Sequence, residues 1–241
     1  MKRETQNILL VLLGGALVKI AVNGDYLRYV KPAQQPWIIA GGVVMVLLGA
    51  VSILRDLRAA RREAAAVPDA HKHSHQARSA WLLLVPVMAV FLVAPPALGA
   101  DSVTRAEARV PASAATANAM AFPPLPAGDM VPLKVNEFVT RAGWDKAGTL
   151  NGRTISLTGF VVHTGGRTLL ARLVISCCAA DAFPVTVHLT GGQADQFAAD
   201  AWLRVNGTIV PGTATLANDY TADFTVSTIE PIPAPQDPYE Y

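Results

Sequence analysis

Three apolar runs stand within the first hundred residues, and they limit the fold more than anything else in the chain. They are "ILLVLLGGALVKIAV" (Ile8–Val22), "WIIAGGVVMVLLGAVSIL" (Trp37–Leu54) and "WLLLVPVMAVFLVAPPALGA" (Trp81–Ala100). Each is close to the roughly 20 residues that a helix needs to cross a hydrocarbon core. Only 16% of the 241 residues are charged and 51% are hydrophobic, a balance suited to a membrane part followed by one modest domain. Lys19 lies near the end of the first run, where a lysine can snorkel to the interface. Pro86 falls in the early turns of the third run, and Pro95 and Pro96 end it. A signal-like segment is the alternative for the first run, but two further runs behind it favour a true span. "ALGA" before Asp101 resembles a signal-peptidase site, although a signal peptide starting near residue 80 would be out of place.

The loops give these spans a direction. Lys2 and Arg3 precede the first, and Arg55, Arg58, Arg61, Arg62, Lys72 and Arg78 separate the second from the third. Only Arg28 and Lys31 lie between the first and second. Excess Lys and Arg mark the cytoplasmic side, so the N-terminus is expected inside and everything after the third span outside, in a multi-pass protein of the cell membrane. Trp37 and Trp81 open their spans at the depth where indole rings settle. No basic stripe with interleaved aromatics appears in the polar half, which excludes nucleic acid as a partner.

The loop before the third run reads "DAHKHSH", with His71, His73 and His75 alternating close to Asp69. Neutral imidazoles are ligands for zinc, copper or nickel, and a flexible loop can gather three. A solvated polar loop is the competing reading, and Lys72 inside the tract opposes a cation.

Residues 1–100 thus form an α-helical membrane part with three spans, and 101–130 an Ala/Pro-rich linker with local helix near Arg105. Residues 131–241 form the outer domain. "NEFVTRAGWD" reads as a short helix capped by Asn136, with Phe138, Val139 and Ala142 on one side. Five strand-like runs follow: "RTISLTGFVVH", "TLLARLVISC", "FPVTVHL", "WLRVNGTIV" and "DFTVSTIEPI". "GGQADQFAAD" is expected as a short helix between the third and fourth. Asn151-Gly152 and Gly165-Gly166 mark turns, and Gly207 marks a bulge. Five strands in about 100 residues fit a small all-β, OB-like barrel, with a sandwich as the alternative.

The chain has two cysteines, Cys177 and Cys178, adjacent in "ISCCAADAF". Outside the cytoplasm cysteines usually pair, but neighbouring Cα atoms lie about 3.8 Å apart, below the usual disulfide range of roughly 4.4 to 6.8 Å. Three readings remain open. A cysteine can be a small buried hydrophobe. Thiolates with Asp181, and with His163 or His188 if the fold brings them in, can bind a borderline or soft metal. Cys178 can also do redox or nucleophilic chemistry if a neighbour depresses its pKa, although no basic side chain stands next to it in sequence. Asp181 could equally cap a turn.

Taken together, "GRTISLTGFV" (Gly152–Val161), "RLVISCCAAD" (Arg172–Asp181), "WLRVNGT" (Trp202–Thr208) and the ending "PQDPYEY" (Pro235–Tyr241) resemble the YcgQ-type permease subunits of the DUF1980 family over nearly the full chain. In that family's pattern Cys178, Ala180 and Asp181 match C-x-A-D, and the place of Cys177 holds histidine or cysteine. Such alternation suits a metal ligand and not a disulfide. The histidine loop is much shorter here than in some relatives. The resemblance implies a multi-span permease of the DUF318 (UPF0718) type as partner and offers no catalytic residue. The expectation is a non-enzymatic accessory subunit in the lipid bilayer. Its outer domain would bind cargo or metal, zinc or another transition metal, through Cys177, Cys178 and Asp181. The alternatives are a metal-binding protein acting without a permease and a thiol-redox protein. The tail "DPYEY" is expected to lie over the domain or meet the partner.

Overall fold

The computed structural model describes residues 3–64, Met88, 96–106 and 122–241. His71, His73, His75, most of the third apolar run and much of the 101–130 linker lie outside the described residues. The chain divides into two compact units, one of Met1–Tyr26 with Pro32–Pro96, the other of Leu27–Lys31 with Ala97–Tyr241.

The first unit contains α1 (Arg3–Asn23) and α2 (Gln35–Ala64). Both are long and apolar enough to cross a membrane. At 1.5 Å per residue they measure about 31 Å and about 45 Å. They form an antiparallel hairpin, since Asn7 meets Asp56, Val11 meets Gly49 and Gly14 meets Gly42. Glycine sets the spacing. A Cβ on Gly14 would lie 2.7 Å from the Gly42 carbonyl oxygen, and one on Gly42 2.8 Å from that of Gly14. Small residues that let helix backbones touch are how helices associate where the surroundings are as apolar as the side chains. The Gln35 side chain closes the turn by donating to the Ala21 carbonyl at 3.0 Å, an acceptor that the end of α1 leaves unpaired. The far side of α2 exposes Val44, Leu47, Leu48, Val51 and Leu54, each at least half exposed.

In the second unit the described residues hold two helices, α3 (Ala100–Arg105) and α4 (Val135–Trp144), and seven strands. The strands are β1 (Met130–Pro132), β2 (Thr154–Thr164), β3 (Arg167–Val174), β4 (Phe183–Thr190), β5 (Trp202–Ile209), β6 (Asp223–Pro231) and β7 (Tyr239–Glu240). Five of them close a ring of pairings. β2 pairs with β3, β3 with β4, β4 with β6, β6 with β5, and β5 with β2. All are antiparallel except β4–β6. The register slips at Asn206/Gly207, where a side chain at Gly207 would collide with the Thr225 carbonyl, so the glycine expected as a bulge is one.

The alternating strands separate two apolar layers. Ile155, Leu157, Val161, Leu170, Val187 and Val205 face one core, which α4 closes with Val135, Phe138 and Val139. Phe138 meets Phe224 edge to face at 5.5 Å. On the other face Phe160, Val162, Leu169, Ala171 and Leu173 pack under α3 and Tyr239. α3 is held by Asp200, whose carboxylate accepts from Ala100 N at 2.6 Å, and Gly99 leaves room for that oxygen.

Several expectations change. The segment Ala97–Arg105 belongs to this unit, which leaves the third apolar run with Trp81–Pro96. The α4 N-terminus is capped by Glu240 and not by Asn136: its carboxylate accepts from Val135 N at 2.9 Å and Asn136 N at 2.8 Å. β3 ends at Val174, before the cysteines. The expected helix over 191–200 is a single turn, Ala194–Gln196, because Gly191, Gly192 and Gln193 all have positive φ, between 55° and 76°. Two expectations hold: the tail lies along the domain, as β7, and the local helix near Arg105 is α3.

Replacing Gly14 with Val should cost the full-length protein about 1–3 kcal/mol, the usual penalty of overpacking. Gly15→Val, at a position with nothing within 4 Å, should cost far less. Thermal unfolding of both variants in detergent makes the comparison, and equal melting temperatures would show that the glycine contact is not needed.

Candidate metal centre

The candidate site begins where β3 leaves the sheet. Ile175 is buried and its N–H is bound by the Glu240 carbonyl at 3.0 Å, while Ser176 and Cys177 are exposed. One turn, Ala179–Asp181, then brings the chain back to β4. The Asp181 carboxylate folds over this turn and accepts from Ser176 N and Cys177 N, both at 2.8 Å. Turn capping and ligand presentation are therefore one arrangement, because the two backbone donors fix the carboxylate beside the thiols.

Adjacent side chains in a strand point to opposite faces. Here the strand has ended, and the two sulfurs lie 3.6 Å apart as free thiols. Ligand atoms from Cys177, Cys178 and Asp181 all lie within 4.8 Å of one another. Two Zn–S bonds of about 2.3 Å at a tetrahedral angle would set sulfurs about 3.8 Å apart. The donor set of two sulfurs and one carboxylate oxygen fits a borderline ion such as Zn²⁺ and leaves a fourth position for water or an incoming ligand.

The metal-free electrostatics oppose nucleophilic chemistry at Cys177. Cys177 is pushed up to about 11, first by its hydrogen bond with the Asp181 carboxylate, then by Cys178 and by slight burial. Burial works against the Asp181 charge, but hydrogen bonds from the Cys177 thiol and from the backbone of Ser176, Cys177 and Cys178 outweigh it and hold the carboxyl below its ordinary range. A thiol titrating that high is a poor nucleophile at neutral pH, whereas a bound cation displaces its proton.

Neither histidine of this unit joins the site. His163 contacts the Phe197 carbonyl at 2.8 Å and Thr168 at 3.2 Å, and His188 contacts Asp223 at 2.7 Å. A neighbour that the sequence did not suggest is the short segment Leu27–Lys31. Ala179 N donates to the Tyr29 carbonyl at 2.7 Å, and Val30 forms a bridge with Cys178. The Tyr239 hydroxyl donates to the Arg28 carbonyl at 3.0 Å and accepts from Leu98 N at 3.3 Å. The two places where the chain enters this unit, near Arg28 and near Leu98, thus meet at one tyrosine. Nothing local marks this, since Val30 and Cys178 are 148 residues apart.

Two family models match the chain, the DUF1980 N-terminal domain over residues 5–108 and the DUF1980 C-terminal domain over 144–241. No curated protein and no solved structure matches it.

In the metal-free protein, alkylation of Cys177 by iodoacetamide should rise about tenfold per pH unit from pH 7 and level off near its pKa. Asp181→Asn removes the main cause of the shift and should make the reaction faster at pH 8. Mass spectrometry of the modified peptide reads both. Equal rates in the parent and the variant would show that Asp181 does not hold the thiol proton.

Proposed function

The chain belongs to the DUF1980 family, and we propose that it is a non-enzymatic, membrane-anchored accessory subunit of a DUF318-type permease. In this reading an extracytoplasmic OB-like domain offers Cys177, Cys178 and Asp181 to a thiophilic metal ion, zinc or a similar cation, at the mouth of the partner. The observation that carries it is the bond between the cysteine turn and Leu27–Lys31. That segment connects the two apolar helices. With both helices as spans, the connection and the domain lie on the same side of the bilayer. The chain must then cross an even number of times between Lys31 and Ala97. α2 supplies one crossing in this reading, and the third apolar run of the sequence is the candidate for the other. The arginines at the end of α2 favour the cytoplasmic side for that end, which supports an outside position for the domain.

The OB-like reading is supported by the strand connectivity. Four antiparallel pairings and one parallel pairing close five strands in the Greek-key order of that fold. The role as an exchange site is supported by exposure, because Cys177 and Asp181 both reach solvent. A structural zinc site would be closed by four protein ligands.

Affinity purification from membranes co-expressing the permease, followed by protein and elemental mass spectrometry on one sample, tests the reading. The permease should co-purify with about one metal ion per chain, and Cys178→Ser should lose the metal while keeping the permease. A lone, metal-free protein with its thiols reduced would rule the proposal out.

A further inference from the structure

The domain carries a second polar concavity on another part of the sheet. β2 and β3 pair only from Phe160/Ala171 to Thr164/Arg167. Below that point they part: β2 takes β1 and β5 as neighbours, and β3 takes β7. Arg172 stands just past the split. A cleft of about 560 Å³ opens there, with Lys134, Arg172 and Arg204 around it and the hydroxyls of Ser156 and Thr158 on its wall.

Arg172 is only 8% exposed, yet its needs are half met. One Nη donates to the Tyr239 carbonyl at 3.0 Å, and the guanidinium stacks over Trp202 at 4.8 Å. Nε and the other Nη are buried without a hydrogen-bond partner, although Glu240 lies 3.5 Å from Nε. A buried guanidinium normally finds acceptors for its donors, so unmet donors beside a cleft are a place where an anion can be received. Glu240 and Asp237 offset the Arg172 charge but leave these two donors without a hydrogen bond. Both Glu240 oxygens are engaged by the α4 N-terminus, and Asp237 accepts from the Tyr241 hydroxyl at 2.6 Å. Lys134 and Arg204 are exposed at the rim, and Arg204 shares its charge only with exposed Glu230.

We propose that this cleft binds a small oxyanion, with Arg172 as its buried donor and Lys134, Arg204 and the two hydroxyls around it. Phosphate suits the set, because guanidinium forks and hydroxyls match its tetrahedral oxygens. A free anion and a phospholipid headgroup share this chemistry, and the test separates them. The proposal is independent of the metal centre and of the permease.

Full-length protein in a neutral detergent at low ionic strength is titrated by calorimetry. One arm uses inorganic phosphate, the other dihexanoyl phosphatidylglycerol below its micelle concentration. Saturable binding of phosphate alone assigns a free anion, and saturable binding of the lipid in either case assigns a headgroup. The double variant Lys134→Gln, Arg204→Gln, altered only at exposed positions, should bind at least tenfold more weakly in the positive arm. Arg172→Lys should weaken binding too, since it keeps the charge and removes the fork. No saturable binding in either arm, or undiminished binding in the double variant, overturns the proposal.

Discussion

The two-residue strand Tyr239–Glu240 holds the domain's separate parts in register. The Glu240 carboxylate takes the first free N–H groups of α4 and faces Arg172, and its backbone carbonyl takes Ile175 N. Tyr239 joins the two chain entries through its hydroxyl. The dipole of α4 and the Arg172 charge both favour a carboxylate at this point. Removing one member of such a buried pair typically costs about 3–5 kcal/mol, because the other is left uncompensated. The cysteine turn starts right after Ile175, so the geometry of the thiols is inherited from this contact.

The same strand places the candidate metal centre at the end of the domain where the chain comes in. Glycine contacts fix the hairpin, the Tyr29 carbonyl fixes the turn, and Asp181 fixes the thiols within it. Three candidate ligands at this end, with Cys177 and Asp181 exposed, would leave a bound ion open to exchange, as the proposed role requires.

The five ring strands were readable because each pairs a strong local pattern with glycine-bearing turns. "RTISLTGFVVH" and "FPVTVHL" fall almost residue for residue on β2 and β4. The local helix near Arg105 was readable as α3 and the tail as lying over the domain, but β1, the strand pairing of β7 and the docking of α3 were not. These elements are short, and their positions depend on partners such as Asp200 and Leu173 that lie far away in sequence. The mistaken helix at 191–200 shows the opposite failure. Its composition permits a helix, but three successive left-handed residues at its start do not. The proximity of Cys177, Cys178 and Asp181 was legible from spacing, whereas the exclusion of His163 and His188 was not, since each strand histidine finds a partner of its own on a neighbouring element.

The account depends most on the side of the membrane that holds the cysteine turn. In a Cys177→Ser, Cys178→Ser background, Leu216→Cys places a thiol at a site 78% exposed on the domain, and Arg61→Cys places one at the far end of α2. A membrane-impermeant maleimide applied to intact spheroplasts should label the first and reach the second only after lysis. Labelling of Arg61→Cys in intact spheroplasts, with Leu216→Cys protected until lysis, would contradict the account.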